Sequence, residues 1–180
     1  MSIKVKIFDD LKENNVKYFV WKNSNLIEEF FDGRENLDLF IHQNDHEKFR
    51  ILIKRNNWIE AKSTSNNISE IKHYLFFEHD KILHIHAYFK LYTGNSISKN
   101  YDLTKFLDYF QNIHFDDKYN MWILNYNLQL KLLEIRILLK KKSILGKYLL
   151  LREKKYYREE LSNILKKDKE LDLNPKFINS

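Results

Sequence analysis

The chain has 180 residues, of which 43% are hydrophobic and 15% aromatic, with only three glycines and one proline. That is enough apolar material for a sizeable core, and too few turn residues for a collagen-like chain, a Pro/Gly-rich disordered chain or a many-turned all-β fold. It has no cysteine and a net charge of +6, which excludes disulfides and thiolate metal sites and favours acidic partners such as nucleotides.

Met1 to Asp10 is charged throughout, unlike a signal peptide, and no run of about 18 uncharged apolar residues occurs. The expectation is a cytoplasmic protein. Along the chain, Ile3, Ile7, Phe8 and Leu11 have helical spacing over 3–15, with Asn14-Asn15 as a stop. Lys17 to Trp21 reads as a short strand, because Tyr18, Phe19, Val20 and Trp21 are strand formers. Ser24 is placed to cap a short helix holding Leu26, Ile27, Phe30 and Phe31, and Gly33 stands where a C-terminal cap belongs.

Asn36 to Ile41 alternates polar and apolar positions and predicts a half-buried strand with Asn36 and Asp38 on one face. Asp45 is placed to cap a helix carrying Phe49, Leu52 and Ile53, which ends near Asn56-Asn57. Trp58 to Ala61 predicts a strand, and the Ser-, Thr- and Asn-rich residues 62–70 a loop. His73 to Glu78 and Ile82 to Leu91 predict two strands joined by a tight turn at His79-Asp80-Lys81. After a polar loop at 93–101, residues 117–141 read as a helix. Met121, Leu124, Leu128, Leu132, Ile135 and Leu139 form one stripe, and Trp122, Tyr126, Leu130, Leu133 and Ile137 a second. Ser143 then caps a further helix through Lys167, weakened only at Gly146. The fold class expected is α+β: a small mixed sheet with flanking helices over 1–116, followed by a C-terminal helical hairpin over 117–180 packed on it.

Two constellations carry chemistry. On the strand 82–91, His84, His86 and Tyr88 share one face, and His73 begins the neighbouring strand. Two imidazoles at i and i+2 suit a ligand or proton-transfer role. Near the front, Trp21-Lys22-Asn23-Ser24 ends a strand and opens a helix, where free N–H groups and Lys22 suit a phosphate. Lys99-Asn100-Tyr101 is a similar candidate. No Walker-type loop occurs, which excludes a self-contained P-loop kinase. The basic tail, Lys140-Lys141-Lys142, Lys154-Lys155 and Lys166-Lys167, is interrupted by Glu153, Glu159, Glu160, Asp168 and Glu170. It reads as a solvated helix face rather than a nucleic-acid surface.

The order of Val20-Trp21-Lys22-Asn23, Gly33 to Ile41, His73-Tyr74, Leu83-His84-Ile85-His86, Thr93-Gly94 and Lys99-Asn100-Tyr101 resembles a family of bacterial nucleotidyltransferase-like domains. These belong to surface-polysaccharide gene clusters and are sometimes fused to a thymidylate-kinase-like domain. The resemblance covers roughly residues 5–110. It implies a nucleotidyltransferase-like mixed sheet. It also implies two Mg²⁺ (or Mn²⁺) held by an acidic pair two residues apart plus a third carboxylate, and a nucleoside triphosphate attacked by a hydroxyl or phosphate acceptor. On that reading Asp38, His84 and His86 are the catalytic candidates, and Asp38, Asn36 and His86 the metal ligands. Lys22, Asn23, Ser24, Asn36, His73 and Lys99 would hold substrate or phosphate.

The sequence departs from the family at two places. The first acidic position carries Asn36, and the third falls near His84 or His86. Glu35 is adjacent but points the other way in a regular strand. Imidazole suits Zn, Mn or Fe better than Mg. Besides metal-dependent nucleotidyl transfer in surface-glycan metabolism, two alternatives follow. One is a catalytically silent module that binds a nucleotide or sugar phosphate. The other is a metal-dependent hydrolase using His84, His86 and Asp38. The C-terminal helices are candidates for pairing with a second copy.

Overall fold

The computed structural model describes residues 5–62, 68–94, 101–106 and 113–167. Lys99 and Asn100 lie outside the described residues. The fold is α+β around a mixed seven-stranded sheet. In chain order come α1 (Lys6–Glu13), β1 (Tyr18–Lys22), α2 (Ile27–Phe31), β2 (Asn36–Ile41), α3 (His46–Arg55), β3 (Ile59–Ala61), β4 (Ile71–Glu78) and β5 (Lys81–Tyr88). After these come the two-residue strands β6 (Tyr92–Thr93) and β7 (Tyr101–Asp102), then β8 (Ile113–Asp116), β9 (Met121–Leu124), α4 (Tyr126–Lys141), α5 (Ile144–Arg152) and α6 (Lys154–Lys167). The strand order is β3-β4-β5-β2-β1-β9-β8, with β6 and β7 forming a separate ladder. β2 runs antiparallel to β1 and parallel to β5, and β4 and β5 form a hairpin.

Alternation divides the sheet into two faces. Tyr18, Val20, Leu37, Leu39, Ile41, Leu83, Ile85 and Ala87 point down into a core filled from α1, α2 and α3 by Ile7, Phe8, Leu11, Ile27, Phe30, Phe49, Leu52 and Ile53. The upper face carries Phe19, Trp21, Phe40 and Tyr88, covered by Leu128 and Leu132 of α4. Beyond this lid the upper face turns polar, and there the site lies.

Several expectations are corrected. Residues 121–124 are a strand, not the start of the long helix, and β9 pairs with β1 and β8. A short apolar run has no period of its own, and the turn at 117–120, with Asn120 at φ 55, starts a strand rather than a helix. The C-terminal segment thus contributes to the sheet, and a boundary at 116/117 cuts through the β8–β9 hairpin. Asn125 caps α4, its side chain accepting from Leu128 N–H.

The polar loop at 93–101 begins and ends in the β6–β7 ladder. Ser143 does cap α5, with Oγ accepting from Gly146 N–H at 2.9 Å. The helix beyond it is two helices meeting at Glu153. Gly146 is a packing requirement rather than a weak point: a Cβ there would stand 2.1 Å from the Lys140 carbonyl oxygen. Asp45 caps no helix by its side chain. Its carboxylate accepts from Lys17 N–H at 3.0 Å and pairs with Lys48. Lys140 is not a solvated cation, being buried against Glu153 at 2.9 Å. On α5, Ile144, Leu145, Tyr148 and Leu151 are exposed. No helix among the described residues is long and apolar enough to cross a membrane.

α2 ends as expected at Gly33. Its N–H donates to Phe30 C=O and that of Arg34 to Glu29 C=O, with Gly33 at φ 73, which is the Schellman arrangement. A Cβ at Gly33 would also meet Ile82 O at 3.2 Å. Gly33→Ala is therefore expected to lower stability by about 1–2 kcal/mol, the cost of a left-handed non-glycine residue, and Gly33→Asn by less. Urea unfolding of the two variants measures both.

Candidate functional site

The site is a row of polar side chains across three adjacent strands. Asn36 and Asp38 on β2 stand opposite His84 and His86 on β5, and His73 on β4 stands opposite His86. The row continues to β1, where Lys22 is paired with Asp38. Strand alternation alone would put Lys22 with Tyr18 and Val20, in the lower core. A β-bulge at Trp21 shifts the register between Val20 and Lys22 and turns Lys22 to the upper face.

Asp38 is the centre of the row and is 1% exposed. Its Oδ1 lies 3.3 Å from both Lys22 Nζ and His86 Nδ1. These are ion-pair contacts without well-aligned hydrogen bonds. Its Oδ2 accepts from Asn36 Nδ2 at 3.2 Å and from Asn23 Nδ2 at 3.5 Å. Burial alone would raise the carboxyl pKa. The charge of Lys22 and the contact with His86 outweigh burial and hold it down at about 2. Lys22 is pulled below its usual range by burial, opposed by Asp38. Its ammonium also donates to Tyr88 Oη at 3.2 Å.

His86 Nδ1 lies near Asn36 Nδ2 as well, at 3.1 Å. Nδ1 is thus the ring nitrogen of His86 that both Asp38 and Asn36 approach. His73 Nδ1 and His84 Nε2 are 3.2 Å apart. Burial, and then the neighbouring His86 and His73, push His84 down to about 4, so its ring is neutral at physiological pH.

Beside Lys22 and Asn36 opens a cavity of about 630 Å³, walled by the end of β1 and the start of β2 in the middle of the sheet, the β6 segment and the C-terminal helices. Its cations are Lys22, Arg136, Lys140, Arg152 and Lys155, against Glu153 and Glu159, and its rings are Trp21, Tyr92, Tyr156 and Tyr157. Arg136 is buried and pairs with Glu160 at 2.7 Å. Two buried polar atoms on lining residues, Trp21 Nε1 and Asn23 Oδ1, have no protein partner among the described residues.

Asn36, Asp38, His84, His86, His73, Lys22 and Asn23 thus converge. Ser24 does not join them: it is buried and its hydroxyl donates to Gln129 Oε1 at 2.7 Å, tying the chain after β1 to α4. Nor does it cap α2: Leu26 holds that position, without a side-chain bond, and Ser24 opens a 3₁₀ turn just before it. Of the cavity residues after α4 begins, the sequence places Lys140, Glu153, Lys155 and Glu159 on a solvated helix face, and marks Arg136, Arg152, Tyr156 and Tyr157 not at all. Only their docking against β1 brings them near Lys22, and no local spacing signals that. Comparison with protein-family models, curated proteins and solved structures gives no match.

The depressed carboxyl sets a pH dependence. A group with a folded pKa of about 2 against an ordinary 3.8 contributes stability above pH 4 that is lost as pH falls from about 4 to 2. Lys22→Met takes the ammonium off the buried carboxylate, so the Asp38 pKa is expected to rise. The variant should then lose stability on the order of 2 kcal/mol at neutral pH. Carboxyl-carbon NMR and urea unfolding across pH measure the two effects.

Proposed function

We propose that the chain is a nucleotidyltransferase-like module that holds a nucleotide or sugar phosphate by electrostatics and ring contacts, without the metal pair of a transferase. The fold assignment is supported by three features. β1 and β2 are antiparallel, β2 and β5 are parallel, and the Asn36/Asp38 pair faces the imidazoles where a third acid belongs.

The observation that carries the binding reading is Lys22 Nζ at 3.3 Å from Asp38 Oδ1. Mg²⁺ takes hard oxygen ligands at about 2.0–2.1 Å, and two such ions need several anionic oxygens. Here a single carboxylate is available, an ammonium already sits on it, and amides and an imidazole occupy its other contacts. The residues present do not fit a pair of Mg²⁺ or Mn²⁺ ions.

The cavity, by contrast, suits a phosphorylated ligand. Five cations line it; Lys22, Arg136 and Lys140 are held by Asp38, Glu160 and Glu153, and the exposed Arg152 and Lys155, at 3.6 and 3.8 Å from Glu153 and Glu159, are the ones placed to meet a phosphate. Trp21, Tyr92, Tyr156 and Tyr157 offer faces for a base or sugar ring. Trp21 Nε1 and Asn23 Oδ1 add a buried donor and a buried acceptor. The place of such a protein in surface-glycan metabolism is part of the same proposal and rests on the family resemblance alone.

Titration calorimetry against nucleoside phosphates and sugar phosphates, in the presence of EDTA, tests this. At least one ligand is expected to bind, with affinity falling as salt rises and unaffected by Mg²⁺. The double variant Arg152→Glu/Lys155→Glu should weaken it by about tenfold or more, equivalent to 1.4 kcal/mol. Absence of binding across the panel, or binding that appears only with Mg²⁺, contradicts the proposal.

A further inference from the structure

We infer that His73, His84 and His86 form a three-histidine site for a single Zn²⁺-class ion, with Asp38 behind it as the carboxylate that orients His86. The site is separate from the phosphate cavity and does not rest on the reading above: none of the three histidines lines that cavity.

The geometry is that of ligands already gathered. One nitrogen from each ring can be chosen so that all three lie within 4.8 Å of one another. One pair, His73 Nδ1 and His84 Nε2, is 3.2 Å apart. Two nitrogens bound at about 2.0–2.1 Å to one tetrahedral ion stand roughly 3.3 Å from each other, so this pair already has the spacing of one tetrahedral edge. A hydrogen bond between the rings fills that edge when no ion does. All three rings are half-buried, so water can supply the fourth position, as in an open site.

The strands explain why the gathering is rigid. His84 and His86 are two apart on β5, and His73 faces His86 across the hairpin. The β4–β5 ladder continues on both sides of the cluster, from Ile71↔Tyr88 to Glu78↔Lys81. The three backbones are therefore fixed before any ion arrives, and little ordering cost is left to binding.

A carboxylate also stands behind one of the three rings. A ligating histidine commonly donates its other ring N–H to a carboxylate, which fixes the tautomer and strengthens the nitrogen facing the metal. His86 Nδ1 is 3.3 Å from Asp38 Oδ1 and 3.1 Å from Asn36 Nδ2, so Nδ1 is engaged by β2 and Nε2 is the nitrogen left for the ion. This differs from the expectation that Asp38 itself coordinates: its burial and its contacts make it the support of a ligand. An imidazole set without thiolates or exposed carboxylates selects Zn²⁺, Co²⁺ or Ni²⁺ over Mg²⁺.

The test uses the full chain, stripped with EDTA and titrated with Zn²⁺ or Co²⁺ in the absence of any nucleotide. About one ion per chain is expected, and Co²⁺ should give the visible absorption of a tetrahedral nitrogen site. In the unmodified protein, ring-nitrogen NMR should show His73, His84 and His86 shifting together on Zn²⁺ addition, while the other histidines stay put. His73→Gln/His84→Gln, with an unchanged far-ultraviolet dichroism spectrum, should abolish the absorption. Asp38→Asn should weaken Zn²⁺ affinity by about 10–100-fold. The inference is overturned if Zn²⁺ leaves the three ring signals unmoved, or if the double variant binds the ion as tightly as the parent. Failure here leaves phosphate binding in EDTA untouched, and loss of phosphate binding leaves this titration untouched.

Discussion

A carboxylate buried at the middle of a sheet face must be matched by cations and donors, because an uncompensated buried charge costs several kcal/mol. Asp38 is matched by Lys22 from β1, Asn23 from the turn after it, Asn36 from its own strand and His86 from β5. One side chain therefore fixes the register of three strands. A slip of two residues along β2 would keep every apolar side chain on its own face. It would also carry Asp38 away from Lys22 and His86. The hydrophobic faces choose the layer, and the buried charge chooses the register within it.

The same constraint shapes the chemistry. A carboxylate already neutralised by an ammonium has little charge left to recruit Mg²⁺. What it does instead is hold two neighbours in place: Lys22 toward the cationic cavity and His86 toward the imidazole cluster. The two candidate sites thus lie on either side of one residue. They differ in the ligand each would take, an anion on one side and a borderline-soft cation on the other.

Much of this was legible in the sequence. The alternation of Asn36 to Ile41 and of Ile82 to Leu91 gave strands with the polar residues on one face, and Gly33 marked the end of α2. Asp38 does meet His84 and His86 across β2 and β5, but not around a shared cavity: Asp38 is buried and none of the three lines the cavity beside Lys22. The unread parts have physical causes. The bulge at Trp21 inverts the side on which Lys22 lies, and no residue in Tyr18 to Lys22 announces it. Met121 to Leu124 is apolar at every position, so either a strand or a helix could have held it. Ser24 had the residue type of a cap, but a glutamine 105 positions away claims its hydroxyl. The cavity is made by residues far apart in sequence, and only the docking of α4, α5 and α6 reveals it.

The central claim is that Asp38 serves as an internal counter-ion and not as a ligand for Mg²⁺. Selective labelling of aspartate carboxyl carbons, followed by Mg²⁺ titration into the millimolar range at neutral pH, addresses it directly. The account predicts that the Asp38 carboxyl signal stays where it is throughout, while exposed aspartates drift weakly with ionic strength. A saturable shift of that signal, with a midpoint unrelated to ionic strength, would mean that the ion displaces Lys22 and would contradict the account.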